Sequence, residues 1–140
     1  LYWQVMTNGP LISPITVQTA FATLASEELS ALVEFYQGLL NQVPQSYVPG
    51  RYAEFALPGL KLALFKPSSG HKPEFRGPAG SMSLWLEVGD IVGAIATLTH
   101  LGHPPPGDII HASHGQEIYA YDPAGNRLIL HQAPLASPSD

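Results

Sequence analysis

Hydrophobic and polar positions run through this chain in two successive rounds of the same order. Residues 15–24 (Ile15 to Leu24) are rich in β-branched and apolar types and predict a strand. Leu29, Leu32, Val33, Tyr36 and Leu40 then recur at helical spacing. Ser26 offers an N-cap for that helix, and Glu27 and Glu28 fall in its first turn, where the helix dipole favours acids. The helix is expected to end near Leu40, before Pro44. Three short strands are predicted at about 45–49, 51–57 and 60–66, separated by the turn pairs Pro49-Gly50 and Pro58-Gly59. Residues 67–80 hold Pro67, Ser68, Ser69, Gly70, Pro73, Gly77, Pro78 and Gly80 and read as a linker.

The order then restarts. Met82 to Val88 predicts a strand. Asp90 caps a helix with Ile91, Ala94, Ile95 and Leu98 on its apolar face, and Gly102 suits its C-terminal stop. After the rigid connection Pro104-Pro105-Pro106-Gly107, strands are predicted at about 108–113, 116–121 and 126–132. The last two flank a tight turn, Asp122-Pro123-Ala124-Gly125-Asn126. Pro123 presets φ there, Asp122 can bond the backbone two residues on, and Gly125 tolerates the exit geometry. Each half is thus strand, helix, three strands. Residue identity between the halves is slight, so the repeat is architectural. The simplest common core sets the helices on one side of curved sheets and leaves a concave face open.

Bulk properties narrow the function classes. A chain of 140 residues with 45% hydrophobic residues suits one compact domain with a real core. The 13 glycines and 14 prolines imply many turns without signalling disorder. With no cysteine, disulfides, thiolate metal sites and a cysteine nucleophile are excluded, and the expected compartment is the cytoplasm. A formal charge of −5 with 6 Lys+Arg argues against nucleic-acid binding. No apolar run has the length of a membrane span, and the N-terminal residues lack the basic and apolar regions of a secretory signal. Leu1 to Val5, before Met6, look like the remnant of a protease-cleavage linker. The expected organisation is a tag-like or flexible segment 1–14, a single domain 15–133 with modules at about 15–66 and 81–133, and a tail 134–140.

Three motifs carry a resemblance. Asp122-Pro123-Ala124-Gly125-Asn126 is similar to the Asp-Pro-x-Gly-Asn turn of the vicinal-oxygen-chelate superfamily. That group includes glyoxalase I, extradiol dioxygenases, and fosfomycin and bleomycin resistance proteins. Glu28-Leu29, Phe35-Tyr36 and Leu39-Leu40 resemble its acid-Leu, Phe-Tyr, Leu-Gly pattern, with Leu40 in place of the usual glycine. Leu86-Glu87-Val88-Gly89-Asp90-Ile91 resembles its second strand–helix junction. The resemblance implies an α+β fold: two βαβββ modules forming curved mixed sheets around a cleft. It also implies a homodimer. Metal-dependent members place ligands on the first and last strands of each module. Carried onto this chain, those positions fall at Phe21, near Lys61–Ala63, at Ser83 and at Ile129. Phenylalanine and isoleucine cannot ligate and a lone serine rarely does, so no metal and no cofactor is expected.

Strand parity extends this set. Phe21 brings Thr23 to the same face, Ser83 brings Trp85 and Glu87, and Ile129 brings Arg127 and His131. Similarity to the fosfomycin-resistance proteins adds Tyr119, and weaker alignment adds Glu54, Lys61 and His111. A cleft with Phe21, Trp85, Tyr119 and a few polar groups suits a small, partly aromatic organic ligand. Residues on the first helix, Leu29, Leu32, Phe35 and Tyr36, are expected in the core instead.

The leading expectation is a metal-free small-molecule-binding protein of the bleomycin-resistance type, sequestering a drug or metabolite. One rival is a lyase, isomerase or dioxygenase-like enzyme with an atypical or absent metal site, in which His111, Tyr119 and His131 supply acid–base chemistry. The other is a protein-interaction module whose pocket Phe21 and Ile129 fill. The sign of the ligand's charge stays open at this stage: net acidity suits a cation, whereas Lys61 and Arg127 suit an anion.

Overall fold

The computed structural model describes residues 16–76 and 80–134. The expectations for residues 1–14, and for the tail beyond residue 134, lie outside the described residues. Eight strands and two α-helices follow in the predicted order: β1 (Phe21–Ala25), α1 (Leu29–Leu40), β2 (Ser46–Val48), β3 (Tyr52–Leu57), β4 (Leu60–Phe65), β5 (Leu84–Glu87), α2 (Ile91–His100), β6 (Ile110–Ala112), β7 (Gly115–Tyr121) and β8 (Arg127–Gln132). They form two four-stranded mixed sheets of identical topology, β1-β4-β3-β2 and β5-β8-β7-β6. In each, the first strand pairs parallel to the last and the remaining pairs are antiparallel. No helix among the described residues is long and apolar enough to cross a membrane.

Local chemistry explains one end of each helix. Asp90 caps α2 by accepting from the Gly93 amide at 3.0 Å. α1 stops at Asn41, which takes the left-handed conformation with φ 51°. Two expectations need correction. β1 begins at Phe21 rather than near residue 15, because its ladder partner is β4 and the pairing opens at Phe21 opposite Lys61. Ser26 does not cap the first helical turn. Its hydroxyl accepts from the Glu28 amide at 3.0 Å, a turn that precedes the helix. Glu27 instead reaches Lys72 at 3.1 Å, in a short 3-10 turn (Lys72–Phe75) within the linker.

Alternation decides which face each strand buries. Leu62 and Leu64, Ala53 and Phe55, Leu128 and Leu130, and Ile118 and Ala120 all join one buried cluster with Leu29, Leu32, Val33, Phe35 and Tyr36 of α1 and Ile91 and Leu98 of α2. α1 lies on β4, α2 lies on β8, and the helices touch each other. Both modules therefore share a core, with helices on one face of each sheet and the opposite faces left open.

The two modules are also tied by a buried polar contact. The Tyr36 hydroxyl on α1 donates to Asp122 Oδ2 at 2.7 Å, across 86 residues of sequence. Asp122 is buried, and its carboxylate is fully satisfied. Oδ2 also accepts from the Asn126 side-chain amide at 2.8 Å, and Oδ1 accepts from the Ala124 and Asn126 backbone amides at 2.9 Å each. Gly125, at φ 86°, closes the turn, and its amide donates to the Asp122 carbonyl. Buried charges persist in folded proteins when hydrogen bonds replace water in this way.

Tyr36→Phe removes one donor from a buried carboxylate and is expected to lower stability by about 2 kcal/mol, as is usual for hydrogen bonds to charged groups. Asp122→Ala is expected to cost more, since it orphans four donors. Burial first, and Asp122 second, push the Tyr36 phenol far above its ordinary value of 10.0. Its contribution is therefore full below pH 10.0 and is lost as pH rises above that value, because the unfolded chain ionises first. Urea unfolding of wild type and Tyr36→Phe across this range checks the point. The gap between them is predicted to shrink above pH 10.0, and equal stability at neutral pH contradicts the assignment.

Candidate functional site

The open faces carry the chemistry. On β8, Leu128 and Leu130 point into the core, so Arg127, Ile129 and His131 face away from the helices. Pairing register then sets Tyr121 beside Arg127, Trp85 and Tyr119 on either side of Ile129, and Glu87 and Glu117 on either side of His131. Trp85 and Tyr119 are 49% and 42% exposed, large aromatic surfaces left uncovered on a sheet.

One end of this face is a connected polar cluster. Trp85 Nε1 donates to Glu87 Oε1 at 3.0 Å, and His131 Nδ1 lies 2.8–2.9 Å from both Glu87 oxygens. A carboxylate only accepts, so Nδ1 carries a proton. Nε2 of the same ring sits 2.9 Å from His114 Nδ1 and 2.9 Å from the His114 carbonyl. His114 Nε2 in turn lies 3.8 Å from Glu117. The rings of Trp85 and His114 each pack 5.0 Å from that of His131, which is buried. The Trp85 N–H, then His131, holds the Glu87 carboxyl below the usual carboxylate range.

Gly115 makes this cluster possible. Its φ of 129° suits glycine, and a Cβ there meets the Gln132 carbonyl and comes within 3.0 Å of His131 Nε2. The opposite end of the face is cationic. Arg127 Nη1 donates to the Gly80 carbonyl and to Ser83 Oγ, at 2.6 and 3.1 Å.

The other sheet presents Phe21, Thr23, Glu54 and Lys61 on its open face, in register as Phe21 beside Lys61, and Thr23 and Glu54 on either side of Ala63. Lys61 Nζ lies 3.5 Å from Glu54 and 5.4 Å above the Phe21 ring, and the Tyr52 hydroxyl donates to Glu54 at 2.8 Å. Lys61 is thus engaged with an acid of its own sheet.

This topology matches known structures, while sequence comparison is silent. No family's sequence pattern matches the chain, and no curated protein is similar to it. Among solved structures, the glyoxalase/bleomycin resistance protein of Catenulispora acidiphila superposes with a TM-score of 0.62 at 21% identity, over 82% of this chain and 97% of that one. Lactoylglutathione lyase of Agrobacterium tumefaciens gives 0.62 at 20% identity, over 83% and 94%. A variant of the fosfomycin resistance protein of Listeria monocytogenes, complexed with Mn(II) and a dihydroxypropylphosphonic acid, gives 0.63 at 16% identity, over 86% and 94%. The chain has the glyoxalase/bleomycin-resistance fold.

The metal positions that resemblance carries onto this fold are poorly furnished for a metal. Phe21 and Ile129 offer no donor atom. Ser83 already accepts from Arg127, and Lys61 pairs with Glu54. Among the described residues no three His, Asp or Glu side chains are grouped to hold a metal ion. The donor set does not fit the metal of metal-dependent members.

Of the sequence-predicted residues, Ser83, Trp85, Tyr119, Arg127, Ile129 and His131 come together on one sheet face. Phe21, Thr23, Glu54 and Lys61 come together on the other sheet, and no strand pairing joins the two sheets. His111 goes elsewhere. It pairs with Gln116, which shares the helix-side parity of Ile118 and Ala120, so it stands off the Tyr119 face. Glu117, His114 and Gly115 completed the cluster without a sequence signal of their own. Their partnership needs the register of β7 with β8, although the parity of Tyr119 already implied Glu117.

Gly115→Ala is expected to destabilise the chain by more than about 2 kcal/mol, since it combines a disfavoured φ with a backbone clash. Urea unfolding measures this, and a loss below about 0.5 kcal/mol, the ordinary effect of a surface change, refutes it.

Proposed function

We propose that the chain is a metal-free small-molecule-binding protein of the glyoxalase/bleomycin-resistance type, sequestering a drug or metabolite. The ligand lies on the open face built from Trp85, Tyr119, Ile129 and Arg127, with Phe21, Thr23, Glu54 and Lys61 of the other sheet as a second wall. The observation that carries this reading is substitution in kind. Side chains without free donors stand where metal ligands belong, and the face around them keeps aromatic surface exposed. Such a face with a few convergent polar groups suits an organic ligand.

A second copy completes the site. Among the described residues each sheet ends in edge strands with no further strand paired to them, β1 and β2 in one and β5 and β6 in the other. The two walls stand on separate sheets of one chain, and the homodimer that the resemblance implies is the proposed way in which they meet. Residues 15–133 act as one domain, in keeping with the core that both modules share, and the cysteine-free composition accords with the cytoplasm.

One observation favours an alternative, an acid–base enzyme of the lyase or isomerase kind. Glu87, His131 and His114 form a hydrogen-bonded relay that ends at the exposed face of His114. Under that reading a bound compound is converted, so mass spectrometry of recovered ligand separates the two.

A thermal-shift screen of antibiotics and small organic acids and amines tests the proposal. A compound that raises the melting temperature should do so equally with and without EDTA, and Trp85→Ala should abolish the shift. A shift that EDTA removes, or that survives Trp85→Ala unchanged, overturns the reading.

A further inference from the structure

We infer that the ligand is a flat, two-headed molecule with an anionic group at one end and an amine at the other, lying along β8. This deepens the proposed binding function and rests on it. The inference comes from the order in which chemistry is laid along the open face. Arg127 and Tyr121 form the first row, Trp85, Ile129 and Tyr119 the second, and Glu87, His131 and Glu117 the third. The first row is cationic, the second apolar and aromatic, and the third acidic.

Each end keeps its sign. Arg127 has no carboxylate within 4.0 Å among the described residues, and the atoms recorded against it, the Gly80 carbonyl and Ser83 Oγ, both engage Nη1 alone. Its remaining donors present the planar fork that matches a carboxylate or phosphonate.

At the other end, two carboxylates meet two histidines. The nitrogen–nitrogen contact of 2.9 Å between His114 and His131 needs one nitrogen with a proton and one without. The pair therefore carries at most one positive charge against Glu87 and Glu117, and the third row keeps an acidic surplus. Glu87 is half-exposed, so its carboxylate is accessible from the face. His100, His103 and His111 lie on other elements or on the opposite face and add no charge here.

Spacing fixes the size. Arg127 and His131 are four residues apart on one strand, which corresponds to about 13 Å between the first and third rows. Two linked aromatic rings bearing an acid and an amine at their far ends fill that span, with the rings on Ile129 between Trp85 and Tyr119. The opposed charges also resolve the conflict between the net acidity of the chain and the arginine on the face.

The test uses a biphenyl carrying a carboxylate on one outer para position and an aminomethyl group on the other, beside biphenylcarboxylate and biphenylmethylamine as single-headed controls. Binding is read by calorimetry on the full chain and by the part of its tryptophan fluorescence that Trp85→Ala removes. The two-headed probe should bind at least about tenfold more tightly than either control, the usual effect of one charge-assisted contact. Arg127→Gln should reduce it to the level of the amine control, and Glu87→Gln should weaken it by a similar factor while leaving biphenylcarboxylate unaffected. Circular dichroism of both variants confirms that they fold.

Equal affinity for all three probes, still lost in Trp85→Ala, overturns the two-headed ligand but leaves the binding reading intact. The same follows if Arg127→Gln and Glu87→Gln leave the two-headed probe unchanged. Failure of all three probes to bind overturns both.

Discussion

The Tyr36–Asp122 hydrogen bond is the constraint on which the rest of the structure depends. Asp122 shapes the β7–β8 turn through two backbone amides and the Asn126 side chain, and the same carboxylate fixes that turn to α1 in the other module. The turn in turn sets the pairing of β7 with β8. A slip of one residue there would move Arg127, Ile129 and His131 from the open face into the core. A single satisfied charge thus determines both how the modules meet and which side chains the face presents.

That face shows how one architecture can change its chemistry. The fold is shared with proteins described as a lyase and as antibiotic-resistance proteins, one of them solved with Mn(II). The fold alone therefore does not choose among activities. Here the choice rests on particular side chains: Phe21 and Ile129 bring apolar surface, Arg127 engages Ser83, and Lys61 engages Glu54. One row further on, Glu87, His131 and His114 form a hydrogen-bonded polar cluster on the same face.

Much of the fold was legible in the sequence because its signals are local. Turn pairs, the Asp90 cap and two rounds of helical spacing gave the order of all ten elements. What was not legible is what depends on long-range pairing. β1 starts at Phe21 because β4 is opposite it, a fact that the β-branched run from Ile15 cannot reveal. Ser26 looks like a cap, but the helix begins three residues later. Tyr36 and Asp122 were each conspicuous within their motifs, yet nothing in either motif shows that they bond. On the open face, parity on β5 and β8 anticipated that Trp85, Arg127 and His131 share one side of the sheet. It could not find His114, which lies in a turn and reaches His131 only because Gly115 allows a close approach. His111, which weaker alignment rather than parity added, stands off that face because its strand is registered by Gln116.

The central proposal is that this chain keeps the fold and binds a ligand without the metal of metal-dependent members. The most direct measurement is elemental analysis of the purified chain after incubation with manganese, zinc, nickel and iron salts and gel filtration. The account predicts no metal near stoichiometric occupancy under any of these conditions. One divalent ion retained per chain would contradict it.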